Sequence, residues 1–159
     1  MSNSSIEMPD DGACAFCAYL RGDRPYTILR RDELTATLVT REQRGVPHLL
    51  VIPIAHRPTL LELHDSEALA LMTAVRDAAR LIDQAYERPG IAVWQNNGTD
   101  ANQVISHLHF HIAGTLDEGG TEWGKVREIS VAETDEIAKR LRTPKADEAR
   151  AMRSSTRLL

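Results

Sequence analysis

His107-Leu108-His109-Phe110-His111-Ile112-Ala113 alternates imidazole and apolar side chains along one short run. In an extended chain, side chains at i, i+2 and i+4 point to the same side. The three histidines therefore share one face, and Leu108, Phe110 and Ile112 share the other. The apolar face is suited to pack on a helix, which leaves the imidazoles lining a polar surface. A single histidine in a strand is ordinarily just a hydrogen-bonded polar residue; three in register call for a chemical reason.

Two chemistries use such an array. Neighbouring imidazoles can converge on a metal such as zinc. Alternatively, one neutral imidazole attacks as a nucleophile while its neighbours fix its tautomer and bind the anion. The flanking residues favour the second. Asn96, Asn97, Gly98 and Gln103 bring amide and backbone donors suited to phosphate oxygens. No Asp or Glu sits beside the histidines to serve as base for a metal-bound water.

Outward from this run, Val104 to Ala113 reads as a strand. Upstream, Tyr26–Leu29 and Thr35–Val39 read as two strands joined by the polar turn Arg30-Arg31-Asp32-Glu33. Leu49–Ile52 gives a short apolar strand stopped by Pro53, and Ile91–Trp94 another, with Trp94 read as core. The longest periodic segment runs from about Ser66 to Glu87. Its apolar residues Leu69, Met72, Val75, Ala79, Ile82 and Tyr86 recur every three or four positions. Asp65 or Ser66 is placed to cap this helix, and Pro89-Gly90 to stop it. A last helix near 131–142 opens with the capping-box pattern Ser130-Val131-Ala132-Glu133. Together these elements predict an α+β domain on an antiparallel sheet, with one long helix and a short C-terminal one.

The 159 residues suit one domain, and 42% apolar content suffices for a core. Aromatics make up only 4%, so that core must be mainly aliphatic. A net charge of −4 with no block of Lys or Arg argues against nucleic acid as a partner, while leaving room for a small phosphate ligand. No apolar stretch reaches the ~18 residues of a membrane span, and Met1–Gly12 lacks the basic and apolar regions of a secretory signal. The expectation is a cytoplasmic protein. Residues 1–12 read as a disordered leader, 13–143 as the domain and 144–159 as a mobile tail.

Cys14-Ala15-Phe16-Cys17 supplies two thiols at metal-ligand spacing. A redox pair and two inert thiols are the other readings; the redox one is weakened because no strand precedes the motif in a βαβ unit. A tetrahedral site would need two further ligands, and histidines are the available type.

His107-Leu108-His109-Phe110-His111-Ile112-Ala113 resembles the motif of the histidine triad family, His-φ-His-φ-His-φ-φ with φ apolar. Asn96 to Gln103 resembles that family's Asn-rich loop, and His48-Leu49-Leu50-Val51-Ile52-Pro53 its upstream strand, so that the likeness runs from about Cys14 to Ala113. The resemblance implies a hydrolase or transferase acting at the α-phosphorus of a nucleotide. It implies that His109 attacks phosphorus and becomes a nucleotidyl-histidine. By the same likeness Asn96, Gln103 and His111 hold the phosphate, and His48 supports the triad from behind. The zinc-containing branch implies a structural zinc on Cys14, Cys17, His56 and His107, and a homodimer. A nucleotide-binding regulatory module with little turnover, and a zinc-dependent hydrolase whose triad itself holds the metal, are the rival readings.

The sequence departs from that pattern at three places. Thr40 falls where the family carries an acid for the ribose hydroxyls, Val104 where many members carry a hydroxyl, and Asn102 where Gly is usual. Trp123, in a Gly-rich stretch after the triad, either reaches a base or anchors at the surface.

Overall fold

The computed structural model describes residues 4–143; the expected mobile tail and the first three residues of the leader lie outside them. Among these residues five strands form one antiparallel sheet: β1 (Ile28–Arg31), β2 (Thr35–Val39), β3 (His48–Pro53), β4 (Ile91–Gln95) and β5 (Phe110–Gly114). Their order is β1-β2-β3-β5-β4, so the strand carrying the last triad histidine is interior and β4 is an edge. Among the described residues three α-helices accompany it: α1 (Ala15–Arg21), α2 (Asp65–Tyr86) and α3 (Val131–Arg142). This is the α+β architecture expected. No helix among the described residues is long and apolar enough to cross a membrane.

Strand alternation sorts the side chains into two cores. On one face, Leu49, Val51, Leu108 and Ile112 pack with Leu71, Val75, Ala78, Ile82 and Ala85 of α2 and with Ala138 and Leu141 of α3. On the other, Ala36, Leu38, Leu50 and Ile52 pack against Phe16 of α1. With both faces covered, β2 and β3 are buried at every position. Each fully buried aliphatic side chain contributes about 1.5–3 kcal/mol. Ile82, which is completely buried, would cost about 2–5 kcal/mol if cut to Ala.

The apolar stripe of α2 is rotated from the one read off the sequence. Its buried apolar residues are Leu71, Val75, Ala78, Ile82 and Ala85, whereas Leu69 and Met72 are 72% and 56% exposed. Alanines supply two of these five positions because the helix sits close to the sheet, and a pattern weighted toward large residues misses them. The cap also differs. His64 is the N-cap, and its backbone N–H is accepted by Glu67, three residues on.

Strand β5 is shorter than expected. Pairing begins at Phe110, opposite Val51 and Gln95, so His107 and His109 lie ahead of the ladder. The alternation nonetheless holds, because Leu108 N–H donates to Arg57 O at 2.6 Å and Leu108 stays in the α2-side core. Arg57 is in turn gripped by the buried Glu67 carboxylate at 3.0–3.1 Å. One half-buried ion pair thus connects α2 to the start of the histidine run.

Where it is described, the leader lies against the domain. Thr99 N–H donates to Glu7 O, Ser106 Oγ to Pro9 O, and Ser106 N–H to the Asp11 carboxylate. Residues 6–11 therefore lie along the 98–106 loop without forming helix or strand. Gly98 makes room for them: a Cβ there would meet Ile6, and its φ of +88° suits glycine.

Candidate active site

Each histidine of the triad is fixed by a different partner. His107 is fully buried, with Nε2 donating to Pro53 O at 2.8 Å. That bond leaves Nδ1 as the lone-pair nitrogen, and Nδ1 lies 3.4 Å from Cys14 Sγ and 3.6 Å from Cys17 Sγ. His56 Nδ1 is 3.5 Å from Cys17 Sγ. The four ligand atoms all fall within 4.8 Å of one another.

Helix α1 makes this cluster possible. Cys14 is its N-cap, and its sulfur accepts the Cys17 N–H, so one turn brings both thiols to the same end. Gly22, in the left-handed region at φ 80°, closes the helix after two turns. Phe16, between the two cysteines, anchors the turn edge-on to His107 and His109, with ring centroids 5.7 and 5.2 Å away. A tetrahedral zinc with its usual bond lengths sets ligand atoms roughly 3.3–3.8 Å apart. The observed sulfur–nitrogen separations match that spacing. Burial and the neighbouring Cys14 push the Cys17 thiol up to about 11, so binding a cation there displaces a proton. The residues fit a metal.

His109 is buried, and its Nδ1 donates to the His107 carbonyl at 2.8 Å. The proton is thereby placed on Nδ1, leaving Nε2 with a lone pair. Burial also holds its pKa below the ordinary histidine value, so the ring is neutral near pH 7. This is the state a nucleophile needs.

His111 Nδ1 meets His48 Nε2 at 3.0 Å. His48 Nδ1 lies 2.9 Å from Glu42 O and 3.3 Å from Arg44 N. The shorter contact is to an acceptor, which assigns the proton to His48 Nδ1, makes His48 Nε2 an acceptor and gives His111 a proton on Nδ1. Burial lowers His48 to about 4; burial together with His109 and His48 lowers His111 to about 2. Gln43 secures the far end, its amide donating to Thr40 O and His48 O while accepting from His48 N.

Trp94 is a correction to the sequence reading. It faces the histidines and does not enter the aliphatic core: its ring is parallel to His111, 4° between planes, with centroids 4.6 Å apart. His48 is 5.2 Å away on the same side. The register Trp94↔His111 between β4 and β5 puts both on one face. An alternation count from Trp94 was available in the sequence, but not the pairing.

Gln103 is engaged within the loop. Its amide N–H groups donate to Pro58 O at 2.8 Å and Ile105 O at 2.9 Å, and its oxygen accepts Gly98 N–H at 2.7 Å. These bonds brace the Asn-rich segment. Asn96 likewise donates to Ala101 O. Thr40 is buried at the end of β2, its hydroxyl accepting Glu42 N–H at 3.3 Å. Sequence reasoning missed Arg57, Glu67 and Gln43. None lies in a motif, and each acts through a partner distant in space.

Residues 21–117 match the family described as HIT domain. Protein hit of Bacillus subtilis is 33% identical over 113 residues, covering 69% of this chain and 78% of the relative. Adenosine 5'-monophosphoramidase of Candida albicans is 28% identical over 123 residues, 73% of this chain and 81% of that protein. A Zn-bound histidine triad family protein from Mycobacterium smegmatis has the same fold, with a TM-score of 0.70 at 23% identity over 86% of this chain and 97% of that one.

Proposed function

The chain belongs to the HIT family, and from that premise we propose that it is a nucleotide hydrolase or nucleotidyl transferase acting at the α-phosphorus through His109. The observation that carries this reading is the His109 tautomer. A buried neutral ring with Nδ1–H on the His107 carbonyl has only Nε2 available to attack.

In the first step the Nε2 lone pair forms a bond to phosphorus as the bond to the leaving group breaks. The leaving group departs with that electron pair and takes up a proton. In the second, water or another acceptor attacks the same phosphorus and gives up its proton to the now neutral His111, and the nitrogen–phosphorus bond gives its electrons back to His109. Dividing one displacement into two lowers each barrier. His111 stands beside His109, ring centroids 4.9 Å apart. An anionic phosphate there favours the protonated form of His111 that burial otherwise opposes. Its Nε2–H then holds a phosphate oxygen or passes its proton to the leaving group, with His48 steadying the other nitrogen.

Cys14, Cys17, His56 and His107 would hold a structural zinc. Four protein ligands leave no open position, which favours this reading over a triad that itself carries a catalytic metal. Bound there, the metal would supply rigidity, and His107, held in place, would orient His109 through its carbonyl. The cytoplasm and a homodimer belong to the same proposal. Exposed Leu69 and Met72 on α2 and Val93 on edge strand β4 support the dimer.

The test is incubation with labelled nucleoside phosphoramidates and dinucleoside polyphosphates, the first chosen because the Candida relative is named for that activity. Turnover with acid-labile label on wild type and none on His109→Ala is expected. Tight binding without turnover across the panel would make the chain a binding module instead.

A further inference from the structure

Trp94 is the largest side chain on the histidine face, and neither the metal cluster nor the nucleophile uses it. Its contacts are specific. The indole lies flat on His111, with 4° between planes and centroids 4.6 Å apart, and tilts 33° from His48 at 5.2 Å. On its remaining sides His111 meets His48 through Nδ1 at 3.0 Å and the edge of the His109 ring at 4.9 Å. The outer ring torsion of a histidine is broad and roughly two-fold, so backbone and rotamer preference alone do not set its plane. The hydrogen bond to His48 holds one edge of the ring, but its angular tolerance leaves a limited swing about the Cβ–Cγ bond open. A flat aromatic surface closes it.

We propose that Trp94 is a positioning residue for His111: its indole sets the plane of the imidazole, so that Nδ1 stays on His48 and Nε2 stays directed at the phosphorus site of His109. This rests on the function proposed above. The position is coupled to the strand register, because Trp94 is directly opposite His111 in the β4–β5 pair. Cross-strand neighbours of this kind sit about 4.5–5.5 Å apart at Cβ, close enough for two rings to lie face to face. An aliphatic side chain at 94 would fill the space and leave the ring plane free. A phenyl ring would keep the face.

Steady-state kinetics of wild type, Trp94→Phe and Trp94→Leu on a nucleoside phosphoramidate, with nuclear magnetic resonance of the histidine rings, provide the test. Trp94→Leu should lower kcat about five- to tenfold, the scale of one lost aromatic pair, with KM within about twofold. Trp94→Phe should restore kcat to within about threefold of wild type. In wild type the indole should shift the His111 carbon-bound ring protons upfield and hold one tautomer, with the proton on Nδ1. Trp94→Leu should lose the shift and mix the tautomers. Equal kinetics in all three proteins, or a wild-type His111 without the upfield shift, would overturn the proposal. The second reading needs no variant to fold. Equal losses in both variants together with a changed oligomeric state would assign Trp94 to a subunit contact and overturn it as well. The ring spectra are recorded without substrate. A wild type that lacks turnover therefore defeats the proposed function, whereas a wrong ring plane defeats only the role of Trp94.

Discussion

His107 and His111 stand four residues apart on the same side of one extended run, yet they live in different chemistry. His107 turns Nδ1 to two thiols and gives its other nitrogen to a backbone carbonyl. His111 turns Nδ1 to a third histidine and lies flat on an indole. Between them His109 uses Nδ1 on the backbone and keeps Nε2 free. An imidazole has two nitrogens, and the partner of one decides what the other can do. The roles proposed for the run therefore grade from a metal-holding end to a proton-handling end, with the proposed nucleophile at the junction.

Removing the junction should have the largest effect. His109→Ala should reduce turnover by a factor on the order of 10³ or more, while metal content by elemental analysis stays that of wild type. Equal loss of metal would merge the two ends. Next comes the metal end. Cys14→Ser with Cys17→Ser, or a strong chelator, should release the metal and lower Tm by about 10 °C, as a loss of several kcal/mol does in a domain of this length. Calorimetry with and without added zinc measures this.

A smaller effect is expected at the other end. His48→Gln should lower kcat about ten- to a hundredfold, as partners behind a reactive ligand do, with metal content unchanged. Unchanged kcat would remove His48 from the proton-handling group.

The smallest effect concerns stability against pH. His48 is held at about 4 and His111 at about 2 in the folded protein, against about 6.5 in the unfolded chain. Between those values the unfolded chain binds more protons, so stability falls as pH is lowered through about 6.5 toward 4. The difference between wild type and His48→Gln, on the order of 1–3 kcal/mol, isolates this from acid release of the metal. Wild type should lose more Tm than the variant between pH 7 and 5. Parallel curves would place the acid sensitivity elsewhere.

The alternation of His107 to Ile112 made the shared histidine face legible without coordinates, and Cys14, Cys17, His56 and His107 do come together as the family resemblance implied. Such signals are local or carried by motifs. The helix α2 stripe was misread by its large residues, because close packing against a sheet uses Ala78 and Ala85 as much as Ile82. Trp94 was read as core because an aromatic residue in a short strand ordinarily is, and only the β4–β5 register shows its real neighbour. The Arg57–Glu67 pair and the Gln103 brace are invisible in sequence for the same reason. Each depends on a contact between segments whose spacing carries no pattern.

The most direct test of how the three histidines divide their work is to locate the covalent adduct. Wild-type protein is quenched during turnover of a nucleoside phosphoramidate, digested under conditions that spare phosphorus–nitrogen bonds, and mapped by mass spectrometry. The expected result is one nucleotidyl group, on His109 alone, with His107 and His111 unmodified. An adduct on His111, or sustained turnover with no adduct on any histidine, would contradict it.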